Sequence, residues 1–279
     1  MSPVSPEASS YGGGGGSVVA VLVRNWHLVI QLTKRNVVGR YRGSVLGLAW
    51  SLFHPILMLS VYTFVFGVVF RSRWGGGEQS TLEFSTLLFA GIIVHGFFAE
   101  CIVRSPGLII GNAQYVKKVV FPLEILPWVT VFSALFHTTI SVVVLVVFYM
   151  LISATLNWTI VFVPIVFVPI MVLAAGVAWG LSALAVYVRD VSHVVGVIAT
   201  VLLFTSPIFY PIEAMPEFIR PIIYLNPLSF IVEQLREVVI WGRLPNFRGL
   251  SIYLLVGILV AWVASRWFRR LRPGFADVL

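Results

Sequence analysis

The chain has 279 residues, of which 59% are hydrophobic and 11% charged, and its mean hydropathy is +0.97. A soluble domain carries about 25% charged residues to hydrate its surface, so this composition excludes soluble enzymes, disordered proteins and fibrous repeats and requires a polytopic membrane protein. The 19 Lys and Arg against 11 Asp and Glu leave a net charge of +8, which in a membrane protein reflects orientation and contact with anionic lipid; no soluble basic face for nucleic acid is present.

Residues 1–17 are rich in Ser, Pro and Gly, with an unbroken glycine run at 12–16. They cannot bury enough surface to order and predict a disordered cytoplasmic tail, not a signal peptide. From Val18 to Val38, at about 100° per residue, Arg24, His27, Gln31, Lys34 and Arg35 share one helical sector, with Val19, Leu22, Trp26, Val29 and Ile30 opposite. Residues 18–44 are therefore expected as an amphipathic interface helix on the membrane surface, followed by a turn that Gly43 and Gly47 permit. Docking onto other protein is the alternative use of the same stripe.

Apolar stretches at about 45–70, 84–104, 125–156, 160–188, 191–212 and 250–268 each approach or exceed the roughly 20 residues a bilayer helix needs. They predict an all-α integral membrane protein with a six-span domain over 45–268. In the first, His54-Pro55 predicts a kink. The second is interrupted only by Glu100, with Arg104 one turn later in the favourable i, i+4 order. Residues 105–121 carry Lys117 and Lys118 together with Leu108, Ile109, Ile110 and Val116, and predict a cytoplasmic helix whose apolar residues seek a protein partner. The charge-free run 125–188 is too long for one helix, and Asn157, Trp158 and Thr159 with Pro164 place the reversal between two. Between spans five and six, Pro221 to Trp241 holds Glu233, Arg236 and Glu237, too many charges for the bilayer centre. It predicts a re-entrant pair of short helices broken at Asn226-Pro227, within an outer segment 212–247. Residues 269–279 form a C-terminal tail.

With six spans, 13 of the 19 basic residues lie on the side of the termini, against Arg71, Arg73, Arg220, Arg236, Arg243 and Arg248 on the other. Both termini are therefore expected in the cytoplasm. A seventh span at 221–241 would split that bias.

Catalytic patterns are missing. None of the three lysines, Lys34, Lys117 and Lys118, follows a glycine, so no P-loop can form and any nucleotide must act on another chain. The five histidines stand on separate segments, which gives no metal site. Glu100 with Arg104 is expected as a self-neutralised pair, and a lone intramembrane carboxylate makes proton-coupled transport a poor fit.

Several stretches in order carry a family resemblance. They are Arg40-Tyr41-Arg42-Gly43-Ser44-Val45-Leu46-Gly47 with Trp50 and Pro55, Lys117-Lys118-Val119-Val120-Phe121-Pro122-Leu123-Glu124 with Pro127, and Tyr187-Val188-Arg189-Asp190. Ser206-Pro207-Ile208-Phe209-Tyr210-Pro211, Asn226-Pro227-Leu228 and Arg272-Pro273-Gly274-Phe275-Ala276-Asp277 follow. With these the chain resembles the membrane subunits of ABC type-2 exporters of lipid-linked polysaccharides: O-antigen, teichoic acid and capsule permeases. The resemblance implies a homodimer in the bacterial inner membrane, seated on two copies of an ABC ATPase that holds ATP and Mg, with no cofactor on this chain. The cargo it implies is an undecaprenyl-linked polysaccharide, O-antigen-like.

The resemblance also implies residue roles. A coupling helix over 105–121 would meet the ATPase, with contacts from Asn112, Tyr115, Lys117, Lys118, Phe121 and Glu124, and from Arg40, Arg42, Arg189 and Asp190 nearby. Spans one and five would wall a channel, with Trp50, Phe53, Tyr62, Phe64, Phe209 and Tyr210 offering aromatic faces to sugars. On an ideal helix Trp50, Phe53 and Phe64 share one side and Tyr62 points elsewhere, so some of these are packing residues. Gate helices above the channel would include Asn226, Pro227 and Arg236. The alternatives are a membrane glycosyltransferase or acyltransferase using Glu78 and Glu83, and a drug or lipid exporter of the same superfamily.

Overall fold

Helix is the only regular structure among the described residues, as a chain in lipid requires when no water can take its backbone groups. The computed structural model describes residues 18–69, 81–118 and 121–279; the tail 1–17, the expected end of span one at Phe70 and residues 119–120 lie outside them. In chain order the helices are α1 Val18–Arg24, α2 Trp26–Tyr41, α3 Trp50–Tyr62, α4 Thr81–Arg104, α5 Gly107–Ile110, α6 Ala113–Lys118, α7 Leu126–Ser153 and α8 Val163–Tyr187. α9 Val191–Thr205, α10 Arg220–Leu225, α11 Pro227–Val239, α12 Phe247–Leu271 and α13 Phe275–Val278 complete the chain. Proline in the first turn starts α7, α8, α10 and α11, where its missing N–H costs no intrahelical bond.

Five segments are long and apolar enough to cross a bilayer: Gly47–Phe66, Leu82–Arg104, Leu123–Ser153, Trp158–Tyr187 and Phe247–Val278. The sixth expected span is shorter than its apolar sequence. α9 stops at Thr205 instead of reaching Ile212, and its 15 residues reach about 22 Å at 1.5 Å each, short of the roughly 30 Å hydrocarbon core. The cause is local. Ser206 precedes Pro207 and takes an extended conformation, φ −89° and ψ 150°, because the proline ring clashes with a helical predecessor.

The N-terminal amphipathic region also divides. Asn25 breaks it into α1 and α2, its Nδ2 donating to Val21 O at 2.8 Å. Val29 and Leu32 of α2 are buried against Ile125 and Val129, and Trp26 meets Phe132 edge-on at 5.4 Å. The helix thus docks on this chain's own third span, while Val23, Ile30 and Val38 stay exposed for another apolar surface. Its polar sector, Arg24 to Arg35, is exposed as expected.

The single helix expected over 105–121 is two. Gly111 N donates to Gly107 O at 2.9 Å, closing α5, and Asn112 Nδ2 donates to Leu108 O at 2.9 Å. The expected C-terminal tail, 269–279, folds onto the bundle, with Phe275 fully buried. α2, α5 and α6 gather at the end of the bundle that holds α1 and α13, called here the terminal end.

α8 and α12 form the tightest pair. Gly176 lets the backbones touch, since a Cβ there would stand 2.8 Å from Ala261 Cα, and a Cβ on Gly257 would stand 3.3 Å from Leu173 N. Small residues at such a crossing replace the hydrophobic drive that lipid removes. Gly176→Ala should therefore cost about 1–3 kcal/mol by overpacking, read as a lower melting midpoint in detergent. Gly180→Ala is the control, because its Cβ would meet only Trp267 at 3.9 Å; equal effects at both sites would contradict this packing.

Candidate functional site

At the terminal end the chain reverses from α2 into α3 through Gly43 (φ +87°) and Gly47 (φ +51°), conformations that favour glycine. The reversal sets Arg40 and Tyr41 over a cavity of about 610 Å³, walled by Trp50, Ser51 and His54 of α3, Phe97 and Glu100 of α4, and His137 and Thr138 of α7. Glu100 Oε1 sits 2.9 Å from Arg40 Nη2 and 3.0 Å from Arg104 Nη1. One carboxylate between two guanidiniums leaves a positive charge in excess. Tyr41 Oη lies 3.3 Å from His137 Nδ1, with the imidazole tautomer deciding the donor.

The Glu100–Arg104 pair follows from sequence; Arg40 does not. Sixty residues of sequence separate Arg40 on α2 from Glu100 on α4, and the tertiary packing brings them together. Arg40 forms part of the cavity wall while its side chain stays 39% exposed, and Arg42 is exposed as well. The cavity offers an aromatic face, hydroxyls, imidazoles and excess positive charge at the edge of an apolar bundle, which suits a polar or anionic group more than a hydrocarbon. No metal-binding group of His, Cys, Asp or Glu forms among the described residues. Glu83, raised for the enzyme alternative, is exposed in the first turn of α4, and Glu78 lies outside the described residues.

The expected aromatic path separates into two kinds of residue. Trp50, Phe53 and Phe64 are exposed on α3 and just beyond it, Trp50 and Phe53 meeting edge-on at 6.0 Å. Tyr62 instead packs against the core. Phe209 is held between Phe66 at 5.5 Å and Phe204 at 5.8 Å, and Tyr210 Oη donates to Phe204 O at 2.6 Å. Phe204, which no motif marked, is exposed on α9 beside Val194, Val197 and Val201. Its spacing with those valines was the available signal.

Among the expected coupling residues, Tyr115 stacks on Phe121 at 4.6 Å and its hydroxyl accepts from Arg35 Nη1 at 3.1 Å. Asn112 caps α5, as above. The side chains of Lys117 and Lys118 lie outside the described residues. Glu124 corrects the expectation of an outward contact: only 8% of it is exposed, and it faces inward to Arg272 at 2.7 Å. Arg189 and Asp190 are exposed in the tight turn between α8 and α9.

The expected gate residues work as structural pins. Asn226 Oδ1 accepts from Leu228 N, starting α11, while its Nδ2 donates to Leu202 O, Thr205 Oγ1 and Ser206 Oγ at 2.8–3.0 Å, closing α9. Pro227 opens α11, and its carbonyl accepts from Tyr253 Oη at 2.7 Å. Arg236 is fully buried. Its Nε donates to Leu87 O at 3.1 Å, Nη1 to Pro207 O at 2.8 Å and Nη2 to Ile208 O at 3.3 Å, with Glu233 Oε1 2.8 Å from Nη1. One side chain ties α4, α11 and the irregular 206–212 link together.

A bundle of apolar helices in which five segments are long enough to cross a bilayer defines a polytopic membrane protein. The chain belongs to the ABC-2 type transporter family, which it matches over residues 27–240. It is similar to the O-antigen export system permease protein RfbA of Klebsiella pneumoniae, at 28% identity over 254 residues covering 90% of this chain and 95% of that one. RfbA of Myxococcus xanthus matches at 28% over 252 residues, 90% of this chain and 94% of the relative. The polysialic acid transport protein KpsM of Escherichia coli matches at 19% over 241 residues, 83% and 87% of the two chains.

The two charge clusters should respond differently in one melting experiment. Glu100→Gln loosens ion pairs whose arginines are over a third exposed and should cost about 1 kcal/mol or less. Arg236→Leu orphans buried carbonyls and should cost about 3–5 kcal/mol. A reversed order would show that the far-end pin is not what holds α11.

Proposed function

We propose that this chain is the membrane-path subunit of an ATP-driven exporter, carrying a lipid-linked polysaccharide of O-antigen type across the bacterial inner membrane, from the cytoplasmic to the outer face. The observation that carries this reading is the full-length correspondence with exporters of O-antigen, in which 90% of this chain covers 95% of the relative. An enzyme that shared only a membrane anchor with them would align over part of either chain.

The energy source follows from what the sequence lacks. With no P-loop lysine, ATP and Mg belong to a separate ABC ATPase, which two copies of this chain would share as a homodimer. The homodimer is supported by the faces that one copy leaves open: Trp50, Phe53 and Phe64 from the first span and Phe204 from α9. A sugar chain is polar along its edges and apolar on its ring faces, so aromatic walls supply contact without a charged grip. The terminal end is read as cytoplasmic from its surplus of Lys and Arg, which places the 610 Å³ cavity where an anionic lipid headgroup would enter. The exposed pair α5–α6 and the Arg189-Asp190 turn lie on the same end, in reach of an ATPase.

Purified alone, the chain should hydrolyse no ATP, and activity should arise only when it is co-purified with an ABC ATPase, such as one encoded in a neighbouring reading frame. Cells lacking the chain should accumulate lipid-linked polysaccharide on the cytoplasmic leaflet with unchanged drug sensitivity. ATPase activity from the isolated chain, or drug sensitivity without polysaccharide accumulation, would overturn the proposal.

A further inference from the structure

The C-terminal residues are not a free tail. After α12 the chain makes a single 3-10 turn, Arg272–Gly274, then α13. Tyr187 at the end of α8 holds this turn: its hydroxyl donates to Leu271 O at 2.9 Å. Gly274 passes so close that a Cβ there would stand 2.5 Å from Tyr187 Oη. Phe275 is then buried between Tyr187 at 6.1 Å and Phe268 at 5.5 Å, and α13 packs on both α6 and α8.

This fold aims Arg272 at the short link between α6 and α7. Its Nη1 lies 2.7 Å from Glu124 Oε1 and its Nη2 donates to Phe121 O at 3.2 Å. From the bundle side, Trp179 Nε1 donates to Glu124 O at 3.0 Å. From the other side Tyr115 of α6 stacks on Phe121 at an interplanar angle of 12°, and Arg35 of α2 reaches the Tyr115 hydroxyl. Residues 121–124 are therefore clasped by α8, by the end of α12 and by α6 at once.

The clasp solves a mechanical problem. α5 and α6 have four and six residues, far below the roughly 12–15 at which a helix is marginally stable alone. A force applied to so short a pair would bend the link at Pro122 and dissipate unless that link were fixed to the spans. The carboxylate of Glu124 is almost wholly enclosed, and the guanidinium is over a third exposed. The tie therefore sits at the boundary between bundle and solvent, where force from outside must enter.

We propose that Arg272 is a positioning residue: clasped to Glu124 and Phe121, it makes α5–α6 and the helices α8 and α12 move as one body, so that hydrolysis on the partner ATPase is converted into transport. This rests on the function proposed above, specifically on α5–α6 receiving the ATPase. It makes the clasp dispensable for partner binding and for hydrolysis itself, and necessary for the yield of transport per ATP.

The experiment uses the full chain co-purified with its ATPase and reconstituted in lipid, and reads three quantities: recovered complex, ATP hydrolysed, and polysaccharide exported in cells carrying the same variant. Arg272→Ala should leave complex and basal hydrolysis near the unaltered level and lower export per ATP about tenfold, inside the roughly 5- to 150-fold span of typical coupling energies. Arg272→Lys, which keeps the charge but not the fork that reaches Glu124 and Phe121 O from two nitrogens, should lie between. Glu124→Arg and Arg272→Glu should each be defective, and the two combined should recover export beyond either alone, the mark of a direct pair. Unchanged export per ATP in Arg272→Ala would overturn the proposal. So would a proportional fall in complex, hydrolysis and export, which a simple fold staple gives, or a combined variant no better than the singles. If the unaltered chain gains no ATPase from any partner, the proposed function itself fails, and the clasp's role falls with it.

Discussion

A carbonyl freed inside a bilayer has no water to bond, and the architecture of this chain is governed by how each freed carbonyl is answered. Long helices answer most of them internally. The informative places are where a helix must stop at membrane depth. α9 ends at Thr205 because Pro207 forbids its continuation, and the loose ends there fall to Asn226, which bonds Leu202 O and both neighbouring hydroxyls. The Pro207 and Ile208 carbonyls fall to Arg236. At the other end of α11, Asn157 Nδ2 takes Val239 O and Ile240 O at 3.1 and 3.0 Å, and Thr159 Oγ1 takes Val238 O at 2.6 Å. α11 can sit among the spans because Asn226 starts it and Asn157 and Thr159 of the α7–α8 link complete its other end.

The scarce charges obey the same economy. Four carboxylates each hold an arginine: Glu100 with Arg40 and Arg104, Glu124 with Arg272, Glu233 with Arg236, and Glu237 with Arg243. Pairing is what makes a carboxylate tolerable near lipid, and here the Arg40–Glu100 and Arg272–Glu124 pairs also join segments far apart in sequence. The pairs at the terminal end tether α2 and the link before α7 to the spans, while Arg236 ties α11 to α4 and to the 206–212 link. At the terminal end the ion pairs lie at the solvent boundary, while at α11 the guanidinium of Arg236 is fully buried.

Much of this was legible from periodicity and punctuation. The apolar runs, the reversal near Asn157, the break at Asn226-Pro227 and the Glu100–Arg104 pair are local features, set by residues within one or two turns of each other. What sequence reasoning misjudged involved residues far apart. Glu124 reads as an exposed charge on a cytosolic loop, yet it is buried because Arg272, 148 positions away, folds back onto it. Arg40 reads as a surface cation and stays over a third exposed, yet it also pairs with Glu100, 60 positions away. The apolar stripe of α2 reads as membrane-facing, and half of it is spent on α7.

The sequence by itself determined that the chain lives in a bilayer and where most of its helices begin and end, because composition and proline placement are properties of the linear polymer. Only the tertiary structure decided which charges are pins and which are free, which aromatics face outward, and that the last residues return to brace the segment before α7. Those outcomes depend on which distant groups a folded backbone brings within 3 Å, and in a low-dielectric setting that proximity decides whether a charge is buried and paired or left at the surface.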